Sequence, residues 1–337
     1  MRLLLTAAAA AMFALSAAAA PLAQPQASRP VAAAPARGEH TRIILLGTSG
    51  GPTVRKTRSQ PASLLVVDGR AYLVDTGEGV LRQLALAGFS PSQVDVVFLT
   101  HLHFDHTADL ASFMAFDWTN RREAPVHIYG PPGTEALVKA GLAYFAIPEA
   151  IFSQELPVKQ PMAKLFTAHD EDLTDPTLVY EDDKVRVLAV ENTHYSTMRL
   201  PRQAYGTPRS YSYRFETADR VVVFTGDTGP SPGLERLARG ADILVSEVID
   251  VPKTVNLIRR QWNTTEAGLQ PLVDHMVKEH FPPEDVGRLA TRAGVKMVVL
   301  THFAPGGDDE LDPTGYVAGV RREFSGPVVA GRDLDQF

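Results

Sequence analysis

The chain has 337 residues and no cysteine. It can therefore form no disulfide, offer no thiolate to a metal ion and carry no lipid on a cysteine side chain. Any metal ion that it binds must be held by histidine and carboxylate side chains. The absence of cysteine is compatible with export, since oxidising compartments permit disulfides without requiring them.

Long basic runs are also absent, and the formal net charge is −6. Removing residues 1–23, whose only charged side chain is Arg2, makes the charge one unit more negative. A protein that binds a polynucleotide needs a concentration of cations to neutralise phosphates. The composition therefore gives no strong signal for nucleic acid, and it favours a small molecule as the main partner.

The first residues are typical of a secretory signal. Arg2 is followed by an alanine-rich apolar run, and small residues suited to cleavage lie near Ala19 to Ala23. A membrane anchor is the alternative, but the run is short for a full span. Residues 24–40 are mostly Pro, Ala, Ser and Gln and predict a disordered linker. We expect a signal peptide over 1–23, no stable membrane anchor, and a periplasmic or secreted domain over 41–337.

From Thr41 onward, short apolar segments rich in β-branched residues alternate with helical patterns. Helices are predicted over 79–87, 134–144 and 284–293, and the least regular stretch, 146–175, predicts an inserted lid or loop. More strands than helices indicate an α/β chain with two sheets covered by helices. The predicted strands are 42–46, 63–67, 71–75, 94–100, 126–129, 185–190, 210–215, 220–225, 243–248 and 297–301.

The segment Thr100-His101-Leu102-His103-Phe104-Asp105-His106 directly follows a predicted buried strand. Three imidazoles and a carboxylate so close together are costly to desolvate unless something binds them. A divalent metal ion explains the cluster, and the alternative is a solvated polar loop with chance histidines. Three further candidates, His194, Asp227 and His302, also follow predicted strands, where a rigid backbone can aim side chains at one point.

The order of these motifs resembles the metallo-β-lactamase superfamily, in its ribonuclease Z and arylsulfatase-like branch. The segments 45–52, 73–79 and 300–303 are similar to that branch as well. The resemblance implies an αββα four-layer sandwich with two Zn²⁺ ions, although Mn²⁺ or iron stays an alternative. It assigns His101, His103 and His194 to one ion, Asp105, His106 and His302 to the other, and Asp227 to both.

In such a centre, a water between the two ions would act as a hydroxide nucleophile. The resemblance also implies catalytic roles for Asp105, which would orient that water, and for His280, which would donate a proton. The remaining histidines, His275, His40, His127 and His169, are predicted to be surface or packing residues. Trp118 and Trp262 are candidates for a substrate wall or for core packing. Residues 47–52 are predicted to form the hairpin turn after the first strand and are a candidate for the pocket lining.

The fold does not fix the substrate. A bridging carboxylate at Asp227 disfavours a β-lactam, and the charge disfavours transfer RNA, which leaves a small exported ester, either an aryl or alkyl sulfate or a phosphodiester. The alternatives are a lactonase or β-lactamase, a ribonuclease Z-like phosphodiesterase acting on nucleic acid, and a metal-binding protein without catalysis. Because similar proteins commonly dimerise, the resemblance also implies a homodimer.

Overall fold

The computed structural model describes residues 40–120, 122–155, 160–262, 265–309 and 312–337. The predicted signal peptide, 1–23, and residues 24–39 of the predicted linker lie outside the described residues.

Two β-sheets form the centre of the described region. Six strands, β1 to β6, lie in chain order in the first sheet, and seven lie in the second sheet in the order β13-β12-β11-β10-β9-β8-β7. Both sheets are mixed, because each combines antiparallel neighbours with a block of parallel strands. The strands are β1 Thr41–Gly47, β2 Ala62–Val67, β3 Arg70–Val74, β4 Val94–Phe98, β5 Val126–Gly130, β6 Phe166–Asp170, β7 Thr177–Glu181, β8 Arg186–Glu191, β9 Tyr211–Glu216, β10 Val221–Phe224, β11 Ile243–Ile249, β12 Met297–Ala304 and β13 Val328–Ala330.

Helices cover the outer faces of both sheets. The helix α4 packs against α3 and β6 of the first sheet, while α5, α8 and α9 pack on the second. The α-helices are α1 Val80–Leu86, α2 Phe104–Thr107, α3 Leu110–Thr119, α4 Thr134–Glu155, α5 Pro232–Leu237, α6 Val251–Gln261, α7 Glu266–Lys278, α8 Pro283–Ala293 and α9 Thr314–Arg321.

The four layers follow from the alternation of side chains along each strand. In β1, Ile43 and Leu45 belong to the apolar core between the two sheets, which also contains residues of β9 and β10. Ile44 and Leu46 face the opposite way and join the core beneath α3 and α4. A third core lies between the second sheet and α5, α8 and α9. The predicted αββα sandwich is therefore confirmed.

The prediction of an irregular lid or loop over 146–175 is wrong for most of that segment. Helix α4 continues to Glu155 with Pro148 inside it, and Phe166–Asp170 forms β6. By length and composition alone, α4 is the one helix of the described residues that could cross a membrane, which is weak evidence of a span. Its exposed side carries Tyr144, Ile147 and Ile151.

Candidate metal centre

Three histidines meet where β4 and β8 end. His101 and His103 follow β4, and His194 follows β8. His103 Nδ1 lies 3.0 Å from His101 Nε2 and 3.1 Å from His194 Nε2. Although these residues are about ninety positions apart in the chain, one ligand atom of each could bind the same metal ion.

A second group lies beside the first and contains Asp105, His106, Asp227 and His302. All four side chains are buried. His302 Nε2 is 3.1 Å from Asp227 Oδ2 and 3.4 Å from Asp105 Oδ2, and His106 Nε2 is 3.4 Å from Asp227 Oδ1. Asp227 Oδ2 also lies 3.9 Å from His194 Nε2, which places this carboxylate between the two groups.

Several ligand-type atoms of the second group have no hydrogen-bond partner. They are His106 Nε2, Asp227 Oδ1 and both ring nitrogens of His302. Leaving a buried polar atom unpaired costs about 1–3 kcal/mol, so the meeting of His106 Nε2, Asp227 Oδ1 and His302 Nε2 is unfavourable unless an ion binds there. The donor set, imidazole nitrogen and carboxylate oxygen, fits a divalent ion such as zinc.

Buried acids orient the histidines from behind. Asp75 follows β3, and its Oδ2 accepts a hydrogen bond from His106 Nδ1 at 2.8 Å. Asp75 also accepts from the backbone N–H of Thr100 at 2.8 Å and from the Thr100 hydroxyl. The hydroxyl in turn lies 3.1 Å from His101 Nδ1. These bonds fix Nδ1 as the protonated atom of His106 and leave Nε2 free to bind a cation.

Glu279, at the end of α7, supports the other histidine group. Its backbone carbonyl accepts from His194 Nδ1 at 3.1 Å. Its carboxylate, fully buried, accepts hydrogen bonds from the Ser196 hydroxyl and from the backbone N–H of Thr197. The loop after His194 is therefore tied to α7, which holds the imidazole in place.

His280 is buried beside both groups, as the sequence predicts. Its Nδ1 lies 2.6 Å from Glu247 Oε2, and its ring centre is 4.9 Å from that of His194. Glu247 also accepts from the backbone N–H of Thr228. Burial opposes a charge on His280, but the carboxylate of Glu247 outweighs it and raises the pKa of His280. The ring is therefore suited to carrying a proton at neutral pH.

His275, predicted to be a surface or packing residue, lies within this histidine cluster. Its ring centre is 4.8 Å from that of His194 and 5.1 Å from that of His280. Its Nδ1 is hydrogen-bonded to the carboxylate of Glu279 four residues later in the chain. The residue is buried, which agrees with the packing alternative and not with the surface one. The spacing of His275 and Glu279 at i and i+4 on α7 is the sequence signal for this pair.

The two groups differ in the pKa values of their side chains. Burial lowers the pKa of His103 to about 4 and holds the pKa of His101 well below its ordinary value. Burial would also lower the pKa of His302, but the charge of Asp227 raises it to about 10. Burial would raise the pKa of Asp105, yet His106 and His302 lower it to about 2. The first group is therefore neutral imidazole, while the ionised carboxylates of the second group stabilise a positive charge beside them, whether a proton on His302 or a bound cation.

The backbone is also specialised at the centre. His302 and Asp75 have positive φ angles of 44° and 62°, which are uncommon for residues other than glycine. Residues 47–52, predicted as the hairpin turn after the first strand, lie in the connection between the antiparallel neighbours β1 and β2, which is a long loop over 48–61. In that loop Gly51 lies against Asp105, where any side chain would overlap the carboxylate.

The remaining aromatic and histidine candidates lie away from the two groups. Trp118 is buried, stacks at an angle on Phe152 and donates to the carbonyl of Gln160, so it is a packing residue. Trp262 ends α6 and is exposed. His127 and His169 contact each other at 3.0 Å on neighbouring strands.

A family model described as the β-lactamase superfamily domain matches residues 70–303. The chain therefore belongs to the metallo-β-lactamase superfamily and is a hydrolase of that class. Among curated relatives, a ribonuclease Z of Mycobacterium sp. (strain KMS) is 32% identical over 265 residues, which cover 78% of this chain and 84% of that protein.

Solved structures share the fold at low identity. The metallo-β-lactamase fold protein YhfI from Bacillus subtilis has a TM-score of 0.60 at 18% identity and covers 88% of this chain and 98% of its own. The short form of human tRNase Z has a TM-score of 0.59 at 19% identity, with the same two coverages. These structures confirm the fold, and the 32% identical ribonuclease Z confirms the predicted resemblance to that protein, whereas the arylsulfatase-like part of the prediction gains no support.

Proposed function

We propose that this hydrolase is a phosphodiesterase with two zinc ions. The observation that carries the proposal is the position of Asp227 between the two ligand groups, with Oδ1 near His106 and Oδ2 near His302 and His194. His101, His103 and His194 would hold one ion, Asp105, His106 and His302 the other, and Asp227 both. Bound there, the ions would supply Lewis acidity and lower the pKa of water.

The side chains of the chain would carry out the proton transfers. His280 is oriented by Glu247, which accepts from Nδ1 at 2.6 Å, so that Nε2 is the atom available to the substrate. A protonated Nε2 would donate to the leaving oxygen of the diester as the P–O bond breaks. Asp105, buried and ionised beside the ion that it would bind, would orient the attacking water through its second oxygen.

The relatives favour a nucleic-acid diester over the small exported ester predicted from the sequence. Ribonuclease Z proteins reach 32% identity over most of both chains, whereas the sulfate ester finds no support among the relatives described. We therefore infer that the substrate is an RNA phosphodiester, which is the alternative that the sequence analysis left open. The acidic net charge, which argued against it, is an average over the chain and does not describe the surface near the site.

A substrate panel tests this function. The zinc-loaded protein is expected to hydrolyse bis(p-nitrophenyl) phosphate and to cleave an RNA with a 3′ extension, and to leave p-nitrophenyl sulfate and nitrocefin intact. Elemental analysis should find about two zinc ions per chain. Turnover of the sulfate or of nitrocefin without either diester would contradict the proposal.

The proton donor is tested by leaving-group dependence. We expect His280→Ala to lower kcat about 10²- to 10⁴-fold for the RNA, whose leaving alkoxide needs a proton. The effect on bis(p-nitrophenyl) phosphate should be much smaller, since nitrophenolate leaves without one. His169→Ala, which removes a histidine outside the centre, is the control. An equal loss on both substrates would show that His280 is not a proton donor.

A further inference from the structure

Tyr195 lies beside all three histidines of the first group. It directly follows His194 in the chain, and its side chain is half-buried. Its ring centre is 5.2 Å from the ring centres of His103 and His194, and 5.9 Å from that of His101. The phenol therefore forms part of the wall around the first ligand group.

The hydroxyl of Tyr195 is directed toward the metal centre. The backbone N–H of Leu102, which lies between the first two histidines, donates to the hydroxyl oxygen. This bond occupies a lone pair of the oxygen and leaves the O–H free to donate. The charges that act most strongly on the hydroxyl are those of Asp227 and Asp105. Both carboxylates belong to the second group, so the hydroxyl lies on the side of the ring that faces the two ion positions.

The hydroxyl keeps its proton at neutral pH. A phenol ordinarily has a pKa of about 10. Burial raises the pKa of Tyr195, and the negative charges of Asp227 and Asp105 raise it further. The side chain is therefore a neutral hydrogen-bond donor beside the centre.

Glu279 anchors the chain on both sides of Tyr195. Its backbone carbonyl accepts from His194 Nδ1 at 3.1 Å. Its carboxylate accepts from the Ser196 hydroxyl at 3.0 Å and from the backbone N–H of Thr197. The carbonyl is sufficient to orient His194, whereas the carboxylate fixes the two residues that follow Tyr195. The phenol is therefore presented from a rigid backbone, as a group that acts on a substrate requires.

We propose that the Tyr195 hydroxyl is a catalytic hydrogen-bond donor to a non-bridging oxygen of the substrate phosphoryl group, an assignment that rests on the proposed phosphodiesterase function. In the transition state of phosphoryl transfer, negative charge is spread over the equatorial oxygens. A fixed donor at such an oxygen stabilises that charge without reorganising during the reaction. Tyr195 would form this bond without giving up its proton, whereas His280 would transfer its proton to the leaving oxygen.

The experiment compares Tyr195→Phe with the wild type as zinc-loaded full-length proteins. This change removes the hydroxyl and keeps the ring. The measurements are kcat and KM for bis(p-nitrophenyl) phosphate, zinc content after dialysis, and the Kd of orthovanadate by isothermal titration calorimetry. Orthovanadate can adopt the trigonal-bipyramidal geometry of the transition state, and its binding is measurable without turnover. The matched control is Tyr144→Phe, which removes the same atom from an exposed position on α4.

We expect Tyr195→Phe to lower kcat about 10²-fold, with KM within about twofold of the wild-type value, because the bond strengthens as charge develops. Orthovanadate should bind about tenfold more weakly or worse. Zinc content should match the wild type, since the ring contacts with the histidines remain. Tyr144→Phe should match the wild type in every measurement.

Unchanged kcat and orthovanadate affinity in Tyr195→Phe would overturn the assignment and leave the phosphodiesterase function in place. Loss of zinc from this variant would also overturn it, since the hydroxyl would then hold the metal-binding loop through Leu102. A wild-type protein that hydrolyses no diester, yet binds orthovanadate more tightly than Tyr195→Phe does, would support the donor and reject the proposed function. An equal loss in Tyr144→Phe would show that the effect is not specific to Tyr195.

Discussion

Single side chains decide whether the centre can assemble at all. Asp75, Glu247 and Glu279 are buried acids that touch no substrate position, yet each holds a histidine or the loop that carries one. Buried acids are tolerated only where donors surround them. Here the backbone N–H groups of Thr100, Thr228 and Thr197 supply those donors, so the ligands are held by rigid main chain.

Gly51 has little freedom to vary, because an added side chain would meet Asp105. A methyl group there would overlap Cβ and Cγ of Asp105, so Gly51→Ala should displace this carboxylate. We expect zinc affinity at the second position to fall about tenfold or more. Zinc content after dialysis measures the change. Gly315→Ala, at a helix position with no atoms within 4 Å of an added Cβ, is the matched control, and full zinc retention by Gly51→Ala would refute the argument.

The sequence was sufficient to find the seven ligand candidates because each one lies at or just after the end of a strand within a recognisable motif. It did not reveal Asp75, Glu247 or Glu279 as supporting residues, since acidic side chains are usually solvent-exposed. Only the folded arrangement shows that these three are buried. For His275 the sequence left surface and packing open, and the ring contact with His194 from a distant segment is visible only in the fold.

Among the secondary-structure elements, α3 carries a carboxylate whose burial is electrostatically unfavourable. Asp117 is fully buried, neither of its carboxylate oxygens has a hydrogen-bond partner, and Arg122 Nε is 3.6 Å away. Burial raises the pKa of Asp117 to about 7, although Arg122 acts against this. The folded protein therefore binds this proton more tightly than the unfolded chain does.

The contribution of Asp117 to stability therefore depends on pH. Between about pH 4 and pH 7 the folded state retains the proton that the unfolded state has lost, so the contribution of Asp117 to stability falls as pH rises through this range. Asp117→Asn cannot lose a proton and should escape that fall. The free energy of unfolding of the variant minus that of the wild type, both measured by urea denaturation, should increase by about 2 kcal/mol from pH 5 to pH 8.

Asp175→Asn, which alters an exposed carboxylate, is the control and should follow the wild type at both pH values. A constant difference between Asp117→Asn and the wild type across this range would mean that Asp117 is ionised throughout, with a pKa close to that of a free carboxyl group.

The inner strands of both sheets and the edge strand β1 were predictable from the sequence, whereas three other edge strands were not. The ten strands predicted from the sequence all correspond to strands in the structure, and their apolar, β-branched content reflects burial on both faces. The three missed strands, β6, β7 and β13, lie at sheet edges. β7 is largely exposed and β13 has three residues, so neither needs the apolar pattern that identifies a strand. Pro148 hid the continuation of α4 for a different reason, since proline usually ends a helix.

For the whole molecule, metal removal is the decisive perturbation. Ions that bind only the folded state stabilise it, by about 2.7 kcal/mol at a hundredfold excess over Kd for one site. At about 2–4 °C per kcal/mol, chelation should lower Tm by several degrees. Calorimetry with and without EDTA measures this, and Asp227→Asn should show a smaller shift. An unchanged Tm, with zinc loss verified by elemental analysis, would mean that the ions do not stabilise the fold.

The edge of β1 that faces away from β2 also forms backbone hydrogen bonds, with residues 334–337. Ile43 exchanges two backbone hydrogen bonds with Phe337, and Leu45 bonds with Leu334 and Asp335. Asp333, just before them, accepts from the backbone N–H groups of Thr48 and Ser59, at the two ends of the loop that holds Gly51. An open strand edge is a template for self-association. Shortening the chain by these five residues would therefore open the edge of β1 to pairing with another chain and, at the same moment, loosen the loop in which Gly51 lies against Asp105.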